Sequence, residues 1–425
     1  MSTETILTAD SANSAPTACR EKRVLVVSTS FPSRVQPVYG VFVKERMRFV
    51  SKQPGVEVRV ISPTPYFPPI KRFKRWYPWS QIPRHETVDG MDVDRPRYFL
   101  PPKIGGYLHP RLMSPCVNRA ARLLSRTFDF DIIDSHFVYP NGVVAARLGQ
   151  RLGKPVVMTG RGEDMLRFPK LPIIGRQIRF ALRSATRLIA VSEEIAEAMR
   201  QNGADPSKIT VISNGVDCDK FRPLPITEAR QQLGLPTDRP IIVSVGYRIE
   251  RKGFHILIDA IPKLRERFPN ILIVIVGGQA RWAADFLPTI EERIRVNDVA
   301  RHVLIVGNRP QKELSAWYSA ADAFALLTSR EGSPNVLMEA LACGLPAVAT
   351  PVGGIPDLLT DGRFGVLLPE RTAKAAATGL STLLSRQPDR GDIRRAMECR
   401  RWEHTAAEVN QVFEKALSDF DRPQR

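Results

Sequence analysis

Short β-branched apolar runs recur along the chain, separated by longer stretches in which apolar residues return every three or four positions. Residues 24–28, 56–61, 131–134, 155–159, 188–191 and 209–212 read as strands, with helices over 142–152 and 193–202 among them. From residue 240 the pattern restarts. Strands are expected at 241–245, 271–276, 302–306, 323–327 and 347–350, and helices at 255–268, 313–321 and 335–343. Strand alternating with helix is the signature of parallel βαβ units. The chain is therefore expected to form two α/β, Rossmann-like domains in tandem, facing across a cleft. In such sheets ligands sit outside the carboxyl ends of the strands.

The Pro-rich, charged stretch 217–239 reads as the connection between domains, and 394–417 as an amphipathic final helix. The expected division is a disordered polar tail over 1–20, a first domain over 21–217, a second over 218–400, and a C-terminal helix over 401–425 returning toward the first domain. Residues 66–79, rich in proline, aromatics and basic residues, read as an irregular loop.

A length of 425 residues, 43% hydrophobic and 25% charged, is ordinary globular composition with room for two cores. Five scattered cysteines without a CxxC argue against a disulfide framework or zinc site and fit a reducing compartment. No apolar run is long enough to span a bilayer. The expected location is cytoplasmic, peripheral on the inner face of the cell membrane.

The net charge of +18 is uneven: residues 1–217 hold 33 Lys and Arg against 19 Asp and Glu. No zinc-finger spacing, RRM-like aromatic motif or basic zipper accompanies it, so nucleic acid is not the expected partner. Lys71, Arg72, Lys74 and Arg75 stand among Phe73, Trp76, Tyr77 and Trp79, and Arg176, Arg179, Arg183 and Arg187 fall at helical spacing. Basic residues with aromatics fit an anionic membrane surface; a solvated basic face is the alternative.

The strongest local feature is Glu331-Gly332-Ser333-Pro334-Asn335-Val336-Leu337-Met338-Glu339, which follows an apolar strand and opens a helix at Pro334-Asn335. Backbone N–H groups of Asn335 and Val336 would lack intrahelical partners, and with the positive helix end they attract phosphate. A carboxylate on either side could hold the hydroxyls of a hexose and a ribose. On spacing alone, Glu331 could equally be a surface residue and Glu339 a helix-face charge.

In this segment, in Ala340-Leu341-Ala342-Cys343-Gly344-Leu345-Pro346 after it, and in Val352-Gly353-Gly354-Ile355-Pro356, the chain resembles the retaining GT-B glycosyltransferases of family 4 (group 1). Ser30-Phe31-Pro32 and Tyr39-Gly40-Val41-Phe42-Val43 are similar to the wording of teichuronic acid and exopolysaccharide transferases. The resemblance runs from about residue 24 to 417. It implies a GT-B fold with the acceptor on the first domain and a nucleotide-sugar on the second. It implies a hexosyltransferase moving sugar from a UDP- or GDP-sugar to a saccharide or lipid-linked acceptor, with no cofactor and no metal. Glu331 and Glu339 match the family's two spaced glutamates. Arg248 and Lys252, after strand 241–245, would neutralise a diphosphate. Gly40, Gly277, Asn308, Asn335 and Val336 complete the expected donor side. His136, at a strand's carboxyl end, is the expected catalytic histidine, with Arg161 and Asp164 on the acceptor side. Many relatives carry histidine where Arg161 stands, which suits an acceptor with an anionic group.

Ser192 reads as a helix N-cap and Asn214-Gly215 as a turn, both structural. Four scattered Asp-x-Asp pairs read as background, and no P-loop or GxSxG elbow occurs. A GT-B epimerase or phosphorylase, or a non-catalytic polysaccharide-binding protein, are the alternatives.

Overall fold

The structure is a computed structural model, described for residues 21–73, 76–101, 105–280, 283–359 and 362–421. The tail 1–20, and Lys74 and Arg75 of the basic segment, lie outside the described residues. The first sheet has eight strands, in spatial order Ile209–Val211, Arg187–Ala190, Val156–Gly160, Ile132–His136, Lys22–Val27, Val56–Ile61, Met91–Asp94 and His85–Val88. All neighbours are parallel except the last pair, a hairpin. The second sheet has six parallel strands, Val303–Gly307, Leu272–Val276, Ile241–Val245, Ala323–Leu326, Ala347–Ala349 and Gly365–Leu367. The central strands of both are almost wholly buried, because helices cover both faces; their sequences are accordingly mostly apolar, with Ile132–His136 turning polar at its carboxyl end in Asp134, Ser135 and His136.

Each sheet reverses its winding once. In the first, Lys22–Val27 lies between Val56–Ile61 and Ile132–His136; in the second, Ile241–Val245 lies between Leu272–Val276 and Ala323–Leu326. The loops leaving the strands at these reversals diverge and leave a crevice at the carboxyl edge. Gly40, His136, Arg248, Lys252 and Glu331 all follow such strands.

The chain passes between the sheets at 213–216 and returns at 400–402, where the Val216 N–H bonds the Arg400 carbonyl (2.9 Å). The last helix, Trp402–Asp421, lies on the first sheet. Its Trp402, Val409 and Phe413 are buried with Val24, Val26 and Ile132, and Trp402 stacks on Phe49 at 6.5 Å. Lys22 bonds Glu414 at 2.6 Å at its edge.

Several sequence readings need correction. The helix expected over 255–268 is two short ones, Phe254–Asp259 and Ile261–Arg265, with Pro262, which lacks an N–H, at the second start. The amphipathic stretch 394–417 breaks at Arg401, which is extended (ψ 152°), so that the final helix can change direction toward the first sheet. Arg187 does not continue the helix Pro172–Ser184. Ala185 is extended, and Arg187 opens a strand and pairs with Asp419. The stretch 217–239 is not a free connection: Phe221, Ala229 and Leu235 are buried in the second domain, around the helix Ile226–Leu233. The helix Gly105–Leu124 was not anticipated, because Pro110 and Pro115 interrupt its pattern.

Phe413 is fully buried against the first sheet, so Phe413→Ala is expected to cost about 3–5 kcal/mol. Urea unfolding followed by circular dichroism measures this; a loss under 1 kcal/mol would show that the last helix does not stabilise the first domain.

Candidate functional site

A cavity of about 460 Å³ opens between the carboxyl edges of the two sheets. Val38, Phe42, Phe137, Arg161 and Asn214 line it from the first domain. Gly246, Lys252, Gly277, Asn308 and residues 330–336 line it from the second.

On the second domain, strand Ala323–Leu326 leads through 327–334 into the helix Asn335–Ala342, with Pro334 at its cap. The Leu337 and Met338 N–H groups bond the Pro334 carbonyl, and the Asn335 N–H the Ser333 carbonyl (3.1 Å). Among the described residues, no acceptor meets the Val336 N–H, which stays available at the positive helix end beside the cavity. Glu331 and Lys252 meet there, Nζ to Oε1 at 2.5 Å, each side chain 11% exposed. Arg251 lies 3.8 Å from the other Glu331 oxygen. Gly332 allows the domains to touch: a Cβ there would sit 1.8 Å from the Arg161 carbonyl oxygen.

The structure does not bring Arg248 into this group. Its guanidinium turns to Asp285 (3.0 Å) and the Gly277 carbonyl (3.2 Å), and Arg251 takes the expected place beside Lys252 on the cavity wall. The reason is local. Lys252 closes a 3-10 turn, Glu250–Lys252, that swings residues 251 and 252 inward, while Asp285 holds Arg248 outside.

Glu339 lies one turn inside the helix and is nearly buried. The Tyr318 hydroxyl donates to it at 2.9 Å and the Gln311 amide at 3.3 Å. Burial pushes its pKa from 4.5 up to about 7, against those two hydrogen bonds and Lys220.

On the first domain, Gly40 does not line the cavity. It caps the helix Val41–Val50 at φ +75°, and a Cβ would lie 2.3 Å from the Ser30 carbonyl oxygen; it thereby sets Val38 and Phe42 on the wall. His136 is fully buried rather than open to the cavity. Arg161 covers it, donating to Nδ1 from Nη2 (2.8 Å), and Nε2 stands 3.2 Å from Asp134. Burial, with the Arg161 charge adding, pushes the His136 pKa down to about 4, although Asp134 opposes this. His136 is therefore neutral near pH 7 and holds Arg161 in place. Asp164 is likewise consumed locally. Its carboxylate accepts from the backbone N–H groups of Val138, Arg161 and Gly162. Arg161 itself reaches the wall and lies over the Phe42 ring at 5.1 Å.

Two residues that sequence reasoning gave no functional part stand at the junction. Asn214 accepts from Arg161 (3.1 Å) and from Arg46 (3.3 Å), donates to Asn335 Oδ1 (2.9 Å), and its N–H bonds Ser333 Oγ (3.2 Å). Arg46 is completely buried behind it, and that burial lowers its pKa to about 10. Arg46 sits among helix residues Val43, Met47 and Val50, so an isolated pattern reading hides it; only the buried register of the helix marks it. Ser192 is the N-cap it was read as, accepting from the Ile195 N–H.

The raised Glu339 pKa gives a pH signature. Its neutral form is favoured by folding, so this contribution is whole below 4.5 and is lost as pH rises through about 7. At about 1.4 kcal/mol per pH unit the loss is on the order of 3 kcal/mol. Glu339→Gln should therefore gain stability relative to the parent between pH 5 and 8 in paired urea titrations. A pH-independent difference would overturn this picture of Glu339.

Comparison with known proteins bears on the same regions. Residues 225–399 match the model of the glycosyl transferases group 1, and residues 40–220 that of Glycosyltransferase Family 4. The chain is 28% identical to the putative teichuronic acid biosynthesis glycosyltransferase TuaC of Bacillus subtilis over 84% of this chain and 88% of that one. It is 33% identical to the D-inositol 3-phosphate glycosyltransferase of an Arthrobacter species over 73% and 77%. The Anabaena HepE structure in complex with UDP superposes with a TM-score of 0.69 at 21% identity, over 93% of this chain and 99% of that one, and shares its GT-B fold. With both halves matched in order and the two-sheet fold in common, the chain belongs to the group 1, family 4 glycosyltransferases.

Proposed function

We propose that the protein transfers a hexose from a nucleotide diphosphate sugar to a saccharide or lipid-linked acceptor, with retention at the anomeric carbon. The observation that carries this is the contact of Lys252 with Glu331 beside the free Val336 N–H, facing Arg161 across the cavity. Two cations, Lys252 and Arg251, a helix start and the Glu331 carboxylate sit within a single recess. Charge developing on a leaving diphosphate meets Lys252 and the helix N-terminus, both fixed before the reaction. Glu331 holds hydroxyls of the transferred sugar. The relatives support the class: TuaC carries a name in teichuronic acid biosynthesis, and HepE holds UDP.

The step we infer is a front-face displacement. The acceptor oxygen bonds to the anomeric carbon as the bond to the diphosphate oxygen breaks, and the departing phosphate takes the acceptor's proton. Neither His136 nor Asp164 acts as base in this scheme, since both are buried and engaged. Glu339 serves the ribose, with the Gln311 amide giving way to its hydroxyls. Arg248 would join the diphosphate only by leaving Asp285. Arg161 sits at the acceptor side, where its charge suits an anionic group. The working location is the inner face of the cell membrane; among the described residues no helix is long and apolar enough to cross one. Because Lys252, Arg251 and the helix start supply the positive charge, the reaction is expected to need no divalent metal.

Thermal shift against UDP-, GDP- and ADP-sugars should pick out one nucleotide; stabilisation by none would overturn the donor reading. Lys252→Ala and Glu331→Ala should each lower turnover by about 10²–10³-fold, with the fold kept by circular dichroism. Near-normal turnover in either variant would sink the assignment. Proton NMR of the product should show the donor's anomeric configuration, and EDTA should leave the rate unchanged. Conversion of the nucleotide-sugar without an acceptor would instead make the protein an epimerase.

A further inference from the structure

A second cavity, of about 330 Å³, lies in the first domain next to the cleft. Its walls include Tyr39, Phe67, Trp76, Trp79, Tyr98 and Leu100. Phe67 stacks on Trp76 at 4.8 Å, and Tyr39 meets Trp79 edge-on at 5.9 Å. The Tyr98 hydroxyl and two backbone carbonyls of these walls are satisfied inside the protein. The Tyr98 hydroxyl pairs with His109 Nε2 at 2.6 Å, the Trp79 carbonyl accepts from Arg97 (3.1 Å), and the Tyr98 carbonyl accepts from the Tyr66 N–H (2.7 Å). Burial pushes His109 down to about 4, so the Tyr98–His109 pair is neutral near pH 7. The walls therefore present rings and methyl groups, suited to an apolar occupant rather than a hydroxyl-rich one.

The surroundings of this slot are unusual for a face left to water. Phe99, between slot residues Tyr98 and Leu100, is 67% exposed; Phe73 is 53% exposed with Lys71 and Arg72 between it and exposed Ile70; and Tyr107 and Leu108, between slot residues Gly106 and His109, are exposed as well. Large apolar side chains grouped with basic ones fit the interface of an anionic bilayer. The slot also adjoins the catalytic cleft. Tyr39 lines the slot, while Val38 and Phe42 of the same turn line the cleft. Thr29 lines the slot, and Asn141 joins it (3.3 Å) to the carbonyl of His136 (2.7 Å) under the cleft floor.

We propose that this aromatic slot holds the apolar chain of a lipid-linked acceptor taken from an anionic bilayer, the turn 38–42 carrying the acceptor's polar head into the cleft. This rests on the transferase reading and specifies which acceptor class it uses. A chain anchored in the slot fixes the acceptor's reach, so that the nucleophilic hydroxyl arrives with little orientational freedom left.

Of the five tryptophans, Trp76 and Trp79 line the slot, Trp317 and Trp402 are buried elsewhere, and Trp282, outside the described residues, is replaced by Phe in every sample. The full chain is mixed with phosphatidylglycerol vesicles whose acyl chains carry bromine, and tryptophan fluorescence is read. Quenching is expected, and Trp76→Phe with Trp79→Phe should abolish it while vesicle flotation persists. Leu100→Asp, which places a charge in the slot, should raise the lipid concentration for half-quenching at least tenfold. Farnesyl phosphate should compete in the parent and not in Leu100→Asp. Half-quenching at an unchanged lipid concentration in Leu100→Asp, or no binding of either probe, would overturn the proposal. So would concentration-dependent dimerisation by ultracentrifugation that the same substitution removes, since a second copy would then cover the rim. Stabilisation by the UDP-, GDP- and ADP-sugars is measured on the same samples. If it fails while slot binding holds, the transferase reading falls and the lipid site stands; the reverse result spares the transferase and removes the slot.

Discussion

The side chain of Asn214 ties the two domains together at the point where chemistry is expected. One carboxamide oxygen receives two guanidinium groups, and the matching nitrogen donates to Asn335 at the start of the donor-side helix. A carboxamide is suited to this because it offers acceptor and donor on one short planar group. Its neutral oxygen satisfies Arg46 and Arg161 without adding a charge. The cations on the first domain are thus held in register with the helix start on the second, which Asn214 meets in two hydrogen bonds, to Ser333 and to Asn335.

Behind that node lies an electrostatic arrangement that keeps the expected catalytic histidine neutral. Two buried arginines and Asp134 surround His136. Burial disfavours the imidazolium more than Asp134 favours it, so the ring stays neutral and offers Nδ1 as an acceptor to Arg161. The residue's work is to aim a guanidinium. Arg161 thus comes with a built support, the neutral His136 ring behind it and the Asn214 carboxamide beside it.

What the sequence made legible was whatever depends on strands and on the loops that leave them. Parallel strands buried on both faces are mostly apolar runs, and the loops after two of them carry Lys252 and Glu331 to one edge. What it hid were side-chain directions. Arg248 and Lys252 look like one pair four residues apart, but a single 3-10 turn separates them, one inward and one to Asp285. Asn214 looks like a turn residue until the second domain is placed against it. The helix Gly105–Leu124 was invisible because two prolines mask a pattern that tertiary packing of Met113 and Val117 sustains.

The basic excess of the first half shows the same limit and sharpens into something local. Arg46, Arg95 and Arg161 are buried and hydrogen-bonded, and Arg187 is paired with Asp419, so a good part of the count is internal structure and not a surface field. The exposed remainder includes Lys71, Arg72, Arg111 and Arg176. These are not spread evenly. Gln177, beside Arg176, bonds the Tyr107 carbonyl, which joins the helix Pro172–Ser184 to the start of Gly105–Leu124 and sets exposed Ile173 on the side of Tyr107 and Leu108. Charge that lies beside apolar exposure acts differently from charge alone. Screening weakens a purely basic face within about 10 Å at 0.1 M salt, whereas inserted side chains keep hold of a bilayer after the charges have brought the protein to it. If the first domain docks on a membrane as proposed, its hold depends on the aromatic rim as much as on the formal charge.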